Sequence, residues 1–194
     1  MGGTGLPHEV SFKGLVGKRT LIRGNVRTGK TQLTVELLEE AVAKGLSREI
    51  TVVDMAPVTE VFDGRSIGGR LSELTDVFMR VRYLAPAVIL TPRLKARTPE
   101  ELYTMVDNNA ESIRPLLDRC IEDPSPVLFV NDVSIFLQSG SMKPVLRAAE
   151  LAETFIANGY YGKHFSEDLG TGVSRLERDL MDRLASKMDV VISL

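Results

Sequence analysis

The order of apolar segments in this 194-residue chain predicts an α/β fold of three layers, a mainly parallel sheet with helices on both faces. Three observations carry that expectation. Short apolar runs alternate with longer stretches of helical periodicity, the rhythm of successive βαβ units. The runs Leu84–Leu90 and Val127–Val130 are apolar enough to read as buried strands. A glycine-containing turn separates the first expected strand from the first strongly periodic helix.

Along the chain, strands are expected near Arg19–Arg23, Ile50–Asp54, Val81–Leu84 or Ala87–Leu90, Val127–Asn131, Thr154–Ala157 and Val190–Leu194. Leu33, Leu37, Leu38, Ala41 and Val42 recur at three- and four-residue intervals, and Gly45 stands where a left-handed cap would close that helix. Thr98-Pro99-Glu100-Glu101 opens a second helix: Thr98 caps, Pro99 suits the first helical position and Glu101 completes a capping box. Its apolar face runs through Leu102, Met105, Val106, Ile113, Leu116, Leu117 and Cys120, with a kink expected before Pro115. Ser174-Arg175-Leu176-Glu177 reads as another capping box, ahead of a stripe of Leu176, Leu180 and Leu184. No repeat or linker-like tract divides the chain. Residues 1–194 are therefore expected to form a single domain, with an irregular segment from Met55 to Arg80.

Composition narrows the classes. With 43% hydrophobic and 26% charged residues, the chain matches an ordinary soluble domain, and its length suffices to bury roughly 70% of the surface exposed when unfolded. The single cysteine, Cys120, excludes an intrachain disulfide, and His8 and His164 have no partners at zinc-ligand spacing. A net charge of −2 gives no strong nucleic-acid signal. No apolar run approaches the ~20 residues a membrane helix needs, so no membrane partner is expected. Met1–Leu6 lacks a hydrophobic core for export, and Leu6 stands where a myristoylation signal needs Ser or Thr. It reads as a flexible leader, and the expected location is cytoplasmic.

The chemistry-bearing string is Gly24-Asn25-Val26-Arg27-Thr28-Gly29-Lys30-Thr31, a full G-x-x-x-x-G-K-[ST] pattern between strand and helix, followed by Gln32. Glycines let backbone N–H groups turn around phosphate oxygens, and the helix N-terminus adds partial positive charge. Lys30 would neutralise the β- and γ-phosphates, while the Thr31 hydroxyl is the hard oxygen ligand that Mg²⁺ takes. Over about Lys18–Gly45 the sequence resembles the P-loop NTPase superfamily. The resemblance implies a nucleoside triphosphate and magnesium at residues 24–32. It does not choose a reaction, because that fold hosts kinases, switches and motors.

A metal-side carboxylate is expected at the C-terminal end of another strand. Asp132 follows the run Val127–Asn131, and Asp54 ends Ile50–Asp54. Asp132 is the favoured Walker B-like residue, expected on a strand beside the P-loop strand; strand-terminal aspartates also serve as caps or turn residues. Asp54-Met55-Ala56-Pro57 is similar to the end of the second strand in the SIMIBI branch, which includes MinD-like and dethiobiotin-synthetase-like proteins. Asn25 stands where the MinD-like signature lysine would be. Val133 follows Asp132 in place of the Glu usual in RecA-like and AAA-like ATPases, and no Asn-Lys-x-Asp guanine string occurs. The absent guanine string favours ATP, and the missing Glu supports a slow switch.

Three loops complete the reading. Asn158–Gly162 follows a late strand and could wrap a nucleobase or be a plain surface turn. Arg93, Lys95 and Arg97 could clamp a phosphoryl group or stay solvated, and Gly64–Arg70 could gate a substrate or be a long connection. The expected function is a Mg²⁺-dependent, ATP-binding hydrolase or small-molecule phosphotransferase acting at the γ-phosphate, with Lys30 and Asp132 as its catalytic residues and Thr31 with Asp132 or Asp54 at the metal. The alternative is a slow nucleotide-dependent switch read by a protein partner. The oligomeric state stays open.

Overall fold

Six segments rich in β-branched and aromatic residues pair into one all-parallel sheet: β1 (Arg19–Gly24), β2 (Ile50–Asp54), β5 (Arg82–Leu84), β6 (Val127–Asn131), β7 (Thr154–Tyr160) and β8 (Val190–Ser193). The spatial order is β5-β2-β6-β7-β1-β8. The computed structural model describes residues 10–62, 65–162 and 167–194; the leader with His8, Gly64 of the expected gating loop, and His164 lie outside them. Parallel pairing demands crossovers, and α-helices supply all of them but the one from β2 to β5: α2 (Lys30–Ala43), α3 (Pro92–Lys95), α4 (Pro99–Glu122), α5 (Ser134–Leu137), α6 (Lys143–Leu151) and α7 (Val173–Ala185), with α1 (Phe12–Leu15) ahead of β1.

Side-chain alternation along the strands divides the core into two layers. Ile22, Val52, Phe129 and Ile156 face one way, onto Phe12 of α1 and Val35, Leu38 and Val42 of α2. Leu21, Val53, Val130 and Ala157 face the other, onto Ile113 and Leu117 of α4, Val145 of α6 and Leu180 and Met181 of α7. Helices thus cover both faces, as the apolar pattern predicts. Each fully buried Leu, Ile, Val or Phe contributes roughly 1.5–3 kcal/mol by leaving water, so the central strands β6 and β7, buried at every position, anchor the sheet.

Local expectations meet the structure unevenly. Gly45 donates its N–H to Val42 as the first long helix closes. The Thr98 hydroxyl accepts from the Glu101 N–H, but the Glu101 carboxylate reaches back to the Arg97 N–H, one residue before the cap. Helix α4 continues as one 24-residue helix with Pro115 inside it. The first of the two alternatives near residue 84 is the strand; Leu90 is instead held through both backbone groups by the Asn109 amide. Ser174 does not cap α7, because Gly172 occupies the cap and Asp168 accepts from the Ser174 N–H. Leu176 is consequently exposed, and the buried stripe runs through Val173, Glu177, Leu180, Met181 and Leu184. The segment from Met55 to Arg80 holds a hairpin, β3 (Glu60–Phe62) with β4 (Arg65–Ile67), and two 3₁₀ turns. Among the described residues no helix is long and apolar enough to cross a membrane.

Two topological results bear on the site. Strand β7 lies between β1 and β6, so the expectation that Asp132 sits on a strand beside β1 is corrected: β6 pairs with β2 and β7. Strand β7 also runs to Tyr160, three residues beyond the expected end, so Asn158 and Gly159 are strand residues and not part of a loop. Asn158 is 2% exposed, and its amide is engaged with Thr34, Asn131 and the Asp132 N–H.

Candidate functional site

The C-terminal ends of the parallel strands open onto a cavity of about 150 Å³, where ligands of open α/β sheets bind. The loop Gly24–Thr31 forms one wall, joining β1 to the N-terminus of α2. Gly24 is required by close approach: a Cβ there would lie 2.4 Å from the Leu194 carbonyl oxygen and 2.8 Å from Thr28 Oγ1. Gly29 caps α2 in the left-handed region at φ 88°, where a side chain is strained. Within the loop, Asn25 Oδ1 accepts from the Val26 N–H, the Thr28 hydroxyl donates to the Asn25 carbonyl, and Lys30 Nζ donates to that same carbonyl. Arg27 holds φ 59°, an uncommon conformation for a residue with a side chain.

Val26, Lys30, Thr31 and Asp132 line the cavity together. Asp132 turns the chain from β6 into α5 at φ 55°. Its N–H donates to Asn158 Oδ1, and Ser134 donates to its Oδ1. Burial pushes its carboxyl above the usual range, against hydrogen bonding from Ser134 and the charges of Lys30 and Arg93. Burial lowers the Lys30 ammonium, and Asp132 opposes that shift. The two charges therefore support each other across the cavity. Gln32 is exposed on α2 and donates to Glu36, away from the cavity lining.

Asp54 occupies a different environment. It is fully buried, and its carboxylate accepts from Ala56 N–H, Leu71 N–H, the Asn131 amide and the Tyr83 hydroxyl. All four donors belong to the protein, so its geometry serves the turn from β2 into the following loop. Asp54 also ends a buried polar chain. Thr34 donates to the Lys30 carbonyl; Asn158 donates to Thr34 and to Asn131; Asn131 donates to Asp54 and to the Gly69 carbonyl. The first turn of α2 is thereby wired through β7 and β6 to residues 69–71. Sequence reasoning missed Asn131 and placed Asn158 in a loop, although each is a lone amide near the end of an apolar run.

Arg93 is not a solvated lid residue. It lies at the start of α3 with its side chain 8% exposed, paired in two-pronged fashion with Glu177 of α7 at 3.0 and 3.1 Å. Its guanidinium also lies 5.3 Å from the Tyr160 ring centre. Gln138 Nε2 donates to Glu177 Oε2 at 2.7 Å, an oxygen it shares with Arg93. Lys95 pairs with Glu60 across the loops, and Arg97 is exposed. Glu177 was legible only as an acid at an apolar-stripe position, four residues after Val173 and three before Leu180.

Burial pushes the Glu177 carboxyl up to about 7, against the opposing charge of Arg93. Its native value exceeds the unfolded one, so its contribution is fully present below about pH 4.5 and is lost as pH rises towards 7. Asp54 and Asp132 shift in the same direction. The melting temperature is expected to fall by several degrees between pH 5 and 8, and to fall less steeply in Glu177→Gln. Calorimetry across that range checks this; a melting temperature that rises with pH, or equal slopes for both proteins, would contradict it.

Comparison of the chain with models of known families and with curated proteins returns no match. The functional argument therefore rests on the site.

Proposed function

We propose that the protein binds a magnesium–nucleoside triphosphate, ATP by preference, at residues 24–32 and acts on the γ-phosphate. The observation that carries this is the convergence of Lys30, Thr31 and Asp132 on one cavity at the strand ends, reached through a glycine-bounded loop that leads into a 14-residue helix. The loop amides and the α2 terminus would take the phosphates, and Lys30 would leave the Asn25 carbonyl to neutralise them. Thr31 and Asp132 supply oxygen donors, which suit magnesium. Among the described residues no three His, Cys, Asp or Glu side chains cluster to hold a metal alone. That fits an ion arriving with phosphate and keeping several waters. Bound there, magnesium would offset charge on the β- and γ-phosphates.

A second reading, a slow switch, is favoured by one observation: the buried chain from Thr34 to Asp54 links the nucleotide loop's helix to residues 69–71. Stimulation of ATP loss by a small molecule favours the enzyme, and stimulation only by a protein favours the switch. The nucleotide itself is tested by competition between ATP and GTP for the magnesium-loaded protein. ATP is expected to bind at least as tightly as GTP, and a strong preference for GTP would overturn the choice of base.

A further inference from the structure

The cavity extends past the phosphate-side residues to a second wall built by α3, α5 and the residue after α5. Among the described residues, two polar atoms of that wall have no partner. Gln138, 2% exposed, uses its Nε2 on Glu177, which fixes its Oε1 as the remaining acceptor; that oxygen and Thr91 Oγ1 are both buried with no hydrogen bond. An unsatisfied buried polar atom costs roughly 1–3 kcal/mol, so native proteins rarely keep one without a reason. Two on the wall of one cavity mark the place of a missing donor.

Size and charge define that donor. The whole cavity, near 150 Å³, matches apolar cavities that take benzene and includes the side lined by Lys30 and Thr31, so the acceptor has at most about six heavy atoms. Arg93 is paired with Glu177, so among the described residues no cation on this wall calls for a second anion. Asp132, Ser134 and Lys30 line the same cavity, while Pro57, Leu94 and Ile135 give it apolar sides.

We infer that this cavity is the acceptor subsite for a small, neutral, hydroxyl-bearing molecule, oriented by Gln138 and Thr91 and phosphorylated on a hydroxyl that faces Asp132. The inference rests on the nucleotide reading above and adds the substrate class. In the step, the acceptor oxygen attacks the γ-phosphorus. The bond from that phosphorus to the β,γ-bridging oxygen breaks, with its electron pair leaving on ADP, and the hydroxyl proton passes to an oxygen of the transferred phosphoryl group. The products are a phosphomonoester and ADP.

The test uses the full chain with magnesium and ATP, and four probes at equal concentration: glycerol, ethylene glycol, glycerate and ethanolamine. ADP release is followed continuously, and ³¹P NMR separates phosphomonoester from inorganic phosphate. Glycerol or ethylene glycol is expected to stimulate ADP release with saturation and to yield the ester, while the anionic and cationic probes do so less. Thr91→Val and Gln138→Leu are each expected to raise the KM for the alcohol by roughly tenfold, the effect of one lost hydrogen bond. The KM for ATP should stay unchanged. Thr91→Val keeps the side-chain shape, so it serves if Gln138→Leu weakens the fold. Inorganic phosphate as the sole product with all four probes, preference for a charged probe, or ester formation indifferent to both variants overturns the inference. Binding of a non-hydrolysable ATP analogue is measured in parallel. If the wild-type protein fails to bind it, the nucleotide reading itself falls, and the acceptor assignment with it.

Discussion

Lys30→Ala is expected to abolish turnover and to weaken triphosphate binding by roughly 10- to 100-fold, the effect of losing a charge-assisted contact to phosphate. The catalytic loss should exceed the binding loss, on the order of 10² or more in kcat, because charge builds on the transferring phosphoryl group as its bond breaks. The fold should survive. Lys30 opens α2, its ammonium donates to the Asn25 carbonyl in a surface loop, and no core cluster includes it. A cooperative melt near the wild-type temperature, together with calorimetric titration of ATP, separates loss of site from loss of fold. Unchanged ATP affinity and turnover in the variant would falsify the assignment of the loop.

Asp132→Asn should produce the second large effect. The substitution keeps size and hydrogen-bonding capacity but removes the charge that faces Lys30 across the cavity. Magnesium affinity in the nucleotide complex is expected to fall about tenfold, turnover by on the order of 10², and metal-free nucleotide binding little. Asp54→Asn gives the contrast. Its four hydrogen-bond donors all come from the protein, so an amide NH₂ there would oppose backbone donors such as the Leu71 N–H. That variant should lose about 2–4 kcal/mol of stability, read from urea denaturation, with the smaller change in magnesium affinity. Should Asp54→Asn show the larger metal defect, the metal-side carboxylate would be Asp54.

The two aspartates illustrate how far sequence reasoning reaches. Each follows an apolar run, and nothing local distinguishes them. The distinction arises because β2 lies between β5 and β6, where Tyr83, Leu71 and Asn131 close around Asp54, whereas Asp132 emerges at a backbone turn open to the cavity. Similarly, the cations of residues 93–97 read as one basic loop. In the folded chain Arg93 is drawn into the interior by Glu177, 84 residues away, while Arg97 stays in water. The unpartnered atoms of Gln138 and Thr91 have no sequence signature at all.

The sequence by itself determined the alternation of strands and helices, the placement of the glycine–lysine loop between β1 and α2, and the burial of β6. These follow from side-chain periodicity and turn chemistry, which act over a few residues. Strand order belonged to the tertiary structure. The insertion of β7 between β1 and β6 depends on which apolar faces pack against α2 and which against α4 and α7, a choice among nearly equivalent surfaces that no local pattern encodes. That order carries Asn158 to the centre of the sheet, where its amide joins Thr34 of α2 to Asn131 of β6. Contacts of this kind span up to 124 residues of sequence. They form only after burial has excluded water from every competing polar partner.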